Sequence, residues 1–390
     1  MVAPEQLFDL SEGHRTIQQA ARDLAAAVEP FAAEADECPD VHERTAALLR
    51  ESGLARQVVP ADYGGAADTL DPLAIAVVRE ALMYSSAHLD SLFGMQGVGS
   101  YSLTVGGSAE LKRAWLPRVA ALEAIAGLAL TEPDVGSDLR AITTTIERRG
   151  GELVVRGRKS FITNGGAASF YCVLGREGDG YSMVLVPATS PGLRAERGAD
   201  IIAPHILGEL AFDDVVVPEA NRLGEPGKAF SLMLQTLAVF RVTVAGSGVG
   251  LGQAALDEAT RHATTRTQFG RPLLELGAVG QNLASSWADV ESARAMTYRA
   301  ASLARTDPLS HLDYSSIAKV VATEAAGRAA DRAVQSMGRF GLVRGSKIER
   351  LYRNARPLRV YEGATEVLLD SLARRLGKKA AVDPAGKKVS

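Results

Sequence analysis

The sequence predicts an α+β protein that is mostly helical. It divides into an N-terminal helical domain (1–124), a middle antiparallel β domain (125–222), a C-terminal four-helix bundle (223–376) and a flexible tail (377–390). Three observations predict this. Apolar residues recur at three- and four-residue steps at the start of the chain and again from Ala229 onward. Between Thr131 and about Arg222, β-branched runs alternate with Gly, Asp and Asn. The final "GKKAAVDPAGKKVS" is polar and rich in breakers.

In the first region Ile17, Ala21, Leu24, Val28 and Phe31 share one helical face, and Ser11 with Glu12 supplies the start signal. "VHERTAALLRESGL" and "LDPLAIAVVREALMY" read as further helices, split by the turn-rich "PADYGGAADT". In the middle region "GELVVRGRKSFITNGG" alternates like a strand, "YSMVLVPA" is a compact apolar run, and "GELAFDDVVVPE" reads as a strand pair. The proline-free stretch from Ala229 to Thr267 is far longer than an average helix. "AVGQNLASSWADVESARAMTYRAASLAR" and "YSSIAKVVATEAAGRAADRAVQSMG" give two more long helices, and one following Glu362 completes the bundle.

At 390 residues, 46% of them hydrophobic, the chain can bury more than one core. A formal net charge of −3 argues against nucleic acid or an anionic membrane as partner. Cys38 and Cys172 belong to no CxxC pair and the six histidines to no HxxxH or HExxH spacing, so neither a disulfide scaffold nor a metal site is expected. The N-terminus shows no signal-peptide pattern and no run reaches about 18 apolar residues, so the expected location is the cytoplasm.

"AGSGVGLGQA" (245–254) is not a dinucleotide loop. Its glycines at 246, 248, 250 and 252 miss the GxGxxG register and lie inside a helix, where small residues permit close packing. "GLVRGSK" misses the P-loop spacing. Any nucleotide cofactor must be held another way.

"RVYEGATEVLLD" places Glu362 between an aromatic and a glycine, just before a helix. A carboxylate there can serve the positive end of the helix dipole. Four other segments offer a second reading: "LALTEPDVGSD", "KSFITNGG", "RTQFGRPL" and "QSMGRFG". In this order, and together with "YEGATEV", they resemble the acyl-CoA dehydrogenase family from about residue 15 to 376.

That resemblance implies a flavoprotein dimer or tetramer, with FAD between the β domain and the bundle and its adenine end reaching a neighbouring subunit. The implied reaction removes two hydrogens from an acyl thioester: a carboxylate takes the α proton and flavin N5 takes a hydride from the β carbon. Such a base works best aimed at its proton in a dry pocket that raises its pKa. The developing enolate needs donors at the carbonyl oxygen.

By residue, Glu362 matches the family's usual base, and Gly363 beside it lets the thioester approach. Some relatives carry the base just before the position of Arg241, a residue expected on the substrate side. Phe240 stands there and cannot accept a proton. Leu128, Leu130 and Thr131 match the flavin ring edge, Gly136 and Ser137 a turn at the pyrophosphate, with Ser137 also near the acyl-pantetheine. Phe161 matches an aromatic packed on the ring and Thr163 a hydroxyl near N5. Arg266, Gln268 and Phe269 match an adenine-diphosphate clasp from the neighbouring subunit. Gln335 and Gly338, with Arg339 in place of a usual glycine, match its pyrophosphate contact, and Thr365 and Glu366 complete the grip.

Phe161 replaces a frequent Trp, and Ala238 replaces a polar pantetheine contact, so the thioester carrier, CoA or acyl carrier protein, stays open. An electron-transfer flavoprotein is the implied acceptor. Three rival readings are a flavin oxidase or monooxygenase on the same fold, a flavin-bearing nucleic-acid binder, and a purely structural helical protein.

Overall fold

The computed structural model describes residues 10–380. The N-terminal domain holds α1 (Glu12–Val28), α2 (Ala32–Glu37), α3 (Glu43–Ser52), α4 (Pro72–Ser85), α5 (Ala87–Gly106) and α6 (Ala109–Ala120). Their starts follow capping chemistry. Ser11 accepts from the His14 amide at 3.3 Å, Asp71 from the Leu73 amide at 2.9 Å, and Ser86 from the Leu89 amide at 3.2 Å. α4 and α5 are apolar around most of their circumference because other elements enclose them.

The middle domain contains β1 (Ala126–Ala129), β2 (Thr145–Arg149), β3 (Glu152–Thr163), β4 (Phe170–Glu177), β5 (Gly180–Pro187), β6 (Leu193–Arg197), β7 (Leu207–Pro218) and β8 (Arg222–Leu223). The sheet runs β6-β7-β3-β2-β4-β5-β8, with β1 paired to β4. Its pairings are antiparallel except β1 and β2 on β4, which are parallel. The chain between β1 and β4, which carries the β2–β3 hairpin, supplies the long crossover that parallel pairing needs. "GELAFDDVVVPE" forms the single strand β7 rather than a strand pair. Val155 pairs with Val215 and Gly157 with Phe212, so Asp213 and Asp214 face Arg156 across a bulge. Two consecutive aspartates imitate a turn in sequence, and the bulge absorbs them.

The C-terminal region contains α7 (Ala229–Thr265), α8 (Gly277–Ala304), α9 (Leu312–Met337), α10 (Lys347–Leu358) and α11 (Thr365–Ala380). α7 is long and apolar enough to cross a membrane by length and composition, yet most of that stretch is buried against α4, α8 and α9. Its glycines explain the close fit. A methyl at Gly250 would lie 2.0 Å from the Glu80 carbonyl oxygen, and one at Gly246 2.3 Å from that of Ala76. α10 packs on both α7 and α9, and α11 on α9. α10 escaped the sequence reading because arginines interrupt its short apolar face; Ser346 caps it. α11 runs on to Ala380, past residue 376 where the tail is expected. Lys378 in its last turn suits the negative helix end. Residues 381–390 of that tail lie outside the described residues.

Candidate active site

The connection between α10 and α11 carries Glu362 and Gly363, with φ of +54° and +102°. A left-handed non-glycine residue costs conformational energy and persists only where its surroundings hold it. Two buried cations do so. Arg241 on α7 donates its Nε to the Glu362 carbonyl at 3.1 Å and an Nη to Ser316 at 3.1 Å. Lys319 on α9 donates its Nζ to the Gly363 carbonyl at 2.7 Å. Glu324 closes the loop at both ends, accepting from Arg359 at 2.7 Å and from the Thr365 hydroxyl at 2.9 Å.

The Glu362 Oε2 atom is buried without a hydrogen-bond partner, and the side chain does not cap α11. Burial pushes its carboxyl pKa up, against the opposing charges of Arg79, Arg241 and Lys319. Asp90 pushes it further in the same direction. Asp90 is itself held by Arg79 in a buried two-pronged pair (2.9 and 2.7 Å) and by Ser247 at 2.9 Å. Phe240 is fully buried with its ring edge-on to Tyr101 at 5.5 Å, so no second base occupies that position. A partnerless carboxylate with raised proton affinity can accept a proton from a carbon acid near neutrality.

On the β domain, Leu128 in β1 and the following Leu130 and Thr131 are half-buried beside β3. The Ser160 amide donates to the Thr131 carbonyl at 3.0 Å and Lys159 Nζ to the Leu130 carbonyl at 2.8 Å. A register shift in β3 between Lys159 and Ile162 carries Phe161, which has φ +54° and leaves 54% of its surface exposed. Thr163 ends the strand, half-buried. Two leucines, two hydroxyls and an outward-turned aromatic ring suit the face and edge of a flat heteroaromatic group. Gly136 and Ser137 lie exposed in the next loop, and a Cβ at Gly136 would meet nothing within 4 Å, leaving room for a phosphate.

A third group sits at the bundle end. Arg266 caps the end of α7, and Gln268 and Phe269 lie in the hairpin after it. Phe269 is 90% exposed. Gln335 near the end of α9 is exposed, and Gly338 turns the chain with φ +58°. The guanidinium carbons of Arg266 and Arg339 lie 5.3 and 5.1 Å from the centre of the Phe340 ring. Clustered guanidinium groups and an exposed ring match a diphosphate with an attached base. Glu366 is exposed on α11, whereas Thr365 is buried and spends its hydroxyl on Glu324.

Sequence reasoning missed Lys319, Ser316, Arg79 and Asp90. Lys319 had a readable signal. It shares a helical face with Ser315, Ala318, Ala322 and Ala326, so a lysine stands on the buried side of a small-residue helix.

Three family models match the chain: the acyl-CoA dehydrogenase N-terminal domain at 11–123, its middle domain at 127–215 and its C-terminal domain at 227–377. Cyclohexane-1-carbonyl-CoA dehydrogenase of Geobacter metallireducens is 33% identical over 391 residues, covering 96% of this chain and all of that protein. The mitochondrial short-chain specific acyl-CoA dehydrogenase of Mus musculus is 34% identical, covering 93% of this chain and 89% of its own. The FAD complex of an acyl-CoA dehydrogenase from Bacillus anthracis superposes with a TM-score of 0.89 at 26% identity, covering 97% of this chain and 68% of that one. With all three domain models matched in order along one fold, the chain belongs to the acyl-CoA dehydrogenase family.

Proposed function

We propose that this protein is an FAD-dependent dehydrogenase that forms the α,β double bond of an acyl-CoA thioester, with Glu362 as the base. The observation that carries the reading is Glu362, a half-buried side chain whose Oε2 is buried without a partner and which a clamped left-handed turn presents. FAD, when bound, supplies the acceptor for the hydride that leaves the β carbon. Glu362 removes the α proton and is left as the neutral acid, and the electron pair of the α C–H bond becomes the second bond between the two carbons. The Glu362 backbone N–H is the chain's own donor for the thioester oxygen as negative charge develops there. Leu128, Leu130, Thr131, Phe161 and Thr163 hold the ring system, and Gly136 and Ser137 leave space for its phosphates.

CoA is favoured over acyl carrier protein because the two relatives and the enzyme from Bacillus anthracis named above are all named as dehydrogenases of CoA-linked groups, cyclohexane-1-carbonyl-CoA in one case and acyl-CoA in the others. An electron-transfer flavoprotein is the proposed acceptor. Anaerobic titration of the yellow holoenzyme against a panel of acyl-CoA and acyl-carrier thioesters tests the reading. At least one CoA thioester is expected to bleach the flavin stoichiometrically and give the enoyl product. Bleaching by carrier-protein thioesters alone overturns the CoA assignment, and bleaching by none overturns the reaction.

The enzyme is proposed to be a homo-oligomer, a dimer at least. Arg266, Gln268, Phe269, Gln335 and Arg339 form a ligand-suited group at the bundle end, built from α7, its hairpin and α9, whereas the ring-suited group belongs to β1 and β3. A second copy that brings its bundle end to this β domain gives both groups one ligand. Sedimentation of FAD-loaded protein is expected to show no monomer at micromolar concentration; a flavin-loaded monomer contradicts the assembly.

A further inference from the structure

We propose that Lys319 is a positioning residue for the Glu362 base: its ammonium holds the Gly363 carbonyl while Arg241 holds the Glu362 carbonyl, and together they fix the left-handed turn that aims the carboxylate. The proposal rests on the reading of Glu362 as base. Lys319 has no exposed surface, and its Nζ makes a 2.7 Å bond to the Gly363 oxygen. Its buried neighbours on α9, Ser315, Ser316, Ala318, Ala322 and Thr323, carry no charge, while Glu324 further along the helix faces it. The Lys319 hydrogen bond goes to a neutral carbonyl and burial outweighs the pull of the carboxylates it faces, so the ammonium costs stability that an apolar side chain of similar length avoids. Packing alone therefore gives no reason for a lysine here.

The loop does. Arg241 restrains Glu362 through its carbonyl, but the next residue is glycine, which by itself leaves its φ and ψ free. Without a donor at the Gly363 oxygen, the peptide that carries Glu362 into α11 can rotate, and the carboxylate swings with it. Lys319 removes that freedom from the opposite side of the loop.

The charge acts as well as the hydrogen bond. The groups facing Glu362 are Arg79 on α4, Asp90 on α5, Arg241 on α7 and Lys319 on α9, with Tyr361 beside it on the loop. Lys319 in turn faces Glu362, Arg241, Glu324 and Glu366. Burial pushes the Lys319 pKa down to about 8, so it is charged at neutrality and favours the ionised form of Glu362. Because this folded-state value lies below that of the unfolded chain, the residue costs stability in full below pH 8. The cost fades as the pH rises toward the ordinary lysine value near 10.5.

The test compares Lys319→Met and Lys319→Gln holoenzymes with wild type by anaerobic stopped flow across pH. The methionine variant is expected to reduce its flavin roughly ten- to a hundredfold more slowly, the scale of a misplaced reacting group, while binding a non-reducible thioester analogue within about threefold of wild type. The acidic limb of its rate profile should move to higher pH, because one cation facing Glu362 is gone. The glutamine variant keeps a donor without charge, so it should regain part of the rate but keep the displaced limb. Its melting temperature, like that of the methionine variant, should equal or exceed that of wild type near neutral pH. Wild-type rates in both variants, or slower rates with an unmoved limb, overturn the proposal; so does loss of the folded holoenzyme in both, which would make Lys319 structural. Glu362→Gln runs alongside. If that variant keeps the wild-type rate, the base reading falls and takes the clamp with it. If it is inactive while both Lys319 variants match wild type, the clamp alone falls.

Discussion

Glu362→Gln is expected to abolish flavin reduction by the best thioester, lowering the rate by about 10²–10⁴-fold, the usual contribution of a positioned general base. Flavin content and melting temperature should stay close to wild type. The amide keeps the shape of the side chain, and the Arg241 and Lys319 bonds go to backbone carbonyls of Glu362 and Gly363, which the substitution leaves in place. No neighbour can take over, because Phe240 fills the alternative position and Asp90 is committed to Arg79 and Ser247. Burial raises the Glu362 carboxyl above the ordinary glutamate range, so the wild-type rate should fall with acid at a pH above the usual carboxylate value. Helix entry predicts the opposite pattern: a loss of about 0.3–1 kcal/mol in stability with turnover intact. Stopped flow with thermal melts separates the two. A variant that reduces its flavin within about threefold of wild type, far inside the general-base range, would show that Glu362 is not the base.

The parts of this protein that periodicity and punctuation specify were legible in its sequence. α4 and α7 have long apolar patterns between clear stops, and the glycines at 246 and 250 meet α4 as close-packing residues should. The five motifs were legible because each lies on one short segment. What escaped is what depends on approach from elsewhere in the chain. The Arg79–Asp90 pair joins α4 to α5, and Lys319 meets Gly363 across 44 positions of sequence. Within its own helix each side chain reads as an ordinary charged residue; burial gives it meaning, and burial is a property of the fold. The single strand β7 was misread for a related reason, since Asp213–Asp214 carries a local turn signal that pairing with β3 overrides.

Glu132→Ala is expected to cost about 3–5 kcal/mol of stability, the penalty for removing one partner of a buried ion pair. Lys159 is fully buried, and its Nζ lies 3.0 Å from Glu132 Oε1. Glu132 also accepts from the Thr143 amide at 2.6 Å, the Thr143 hydroxyl at 2.8 Å and the Thr144 amide at 2.9 Å. Alanine therefore strands an ammonium and two amides at once. Burial alone would raise the Glu132 carboxyl, but the bonds from Thr144 and Thr143 and the Lys159 charge outweigh it and hold it at about 2. Since this lies below the unfolded value near 4.5, the stabilisation is complete above that value and is lost as the pH falls toward 2. Wild type should lose this increment on acidification and the variant should not, so the gap between them narrows in acid. It should narrow in alkali as well, because burial holds Lys159 down at about 8 even beside Glu132, and without that carboxylate the stranded amine gives up its proton at a lower pH still. Adding Lys159→Met to the variant should restore much of the loss by removing the unpaired charge. The same pair ties the Leu130 carbonyl to β3 and so sets the edge proposed to meet the flavin ring. FAD retention in dilute solution should therefore fall with stability in Glu132→Ala. Denaturant melts from pH 3 to 9 test this. A cost below about 1 kcal/mol at pH 7, the range of an exposed pair, would mean that water reaches Lys159 and that the flavin edge is held by the strands alone.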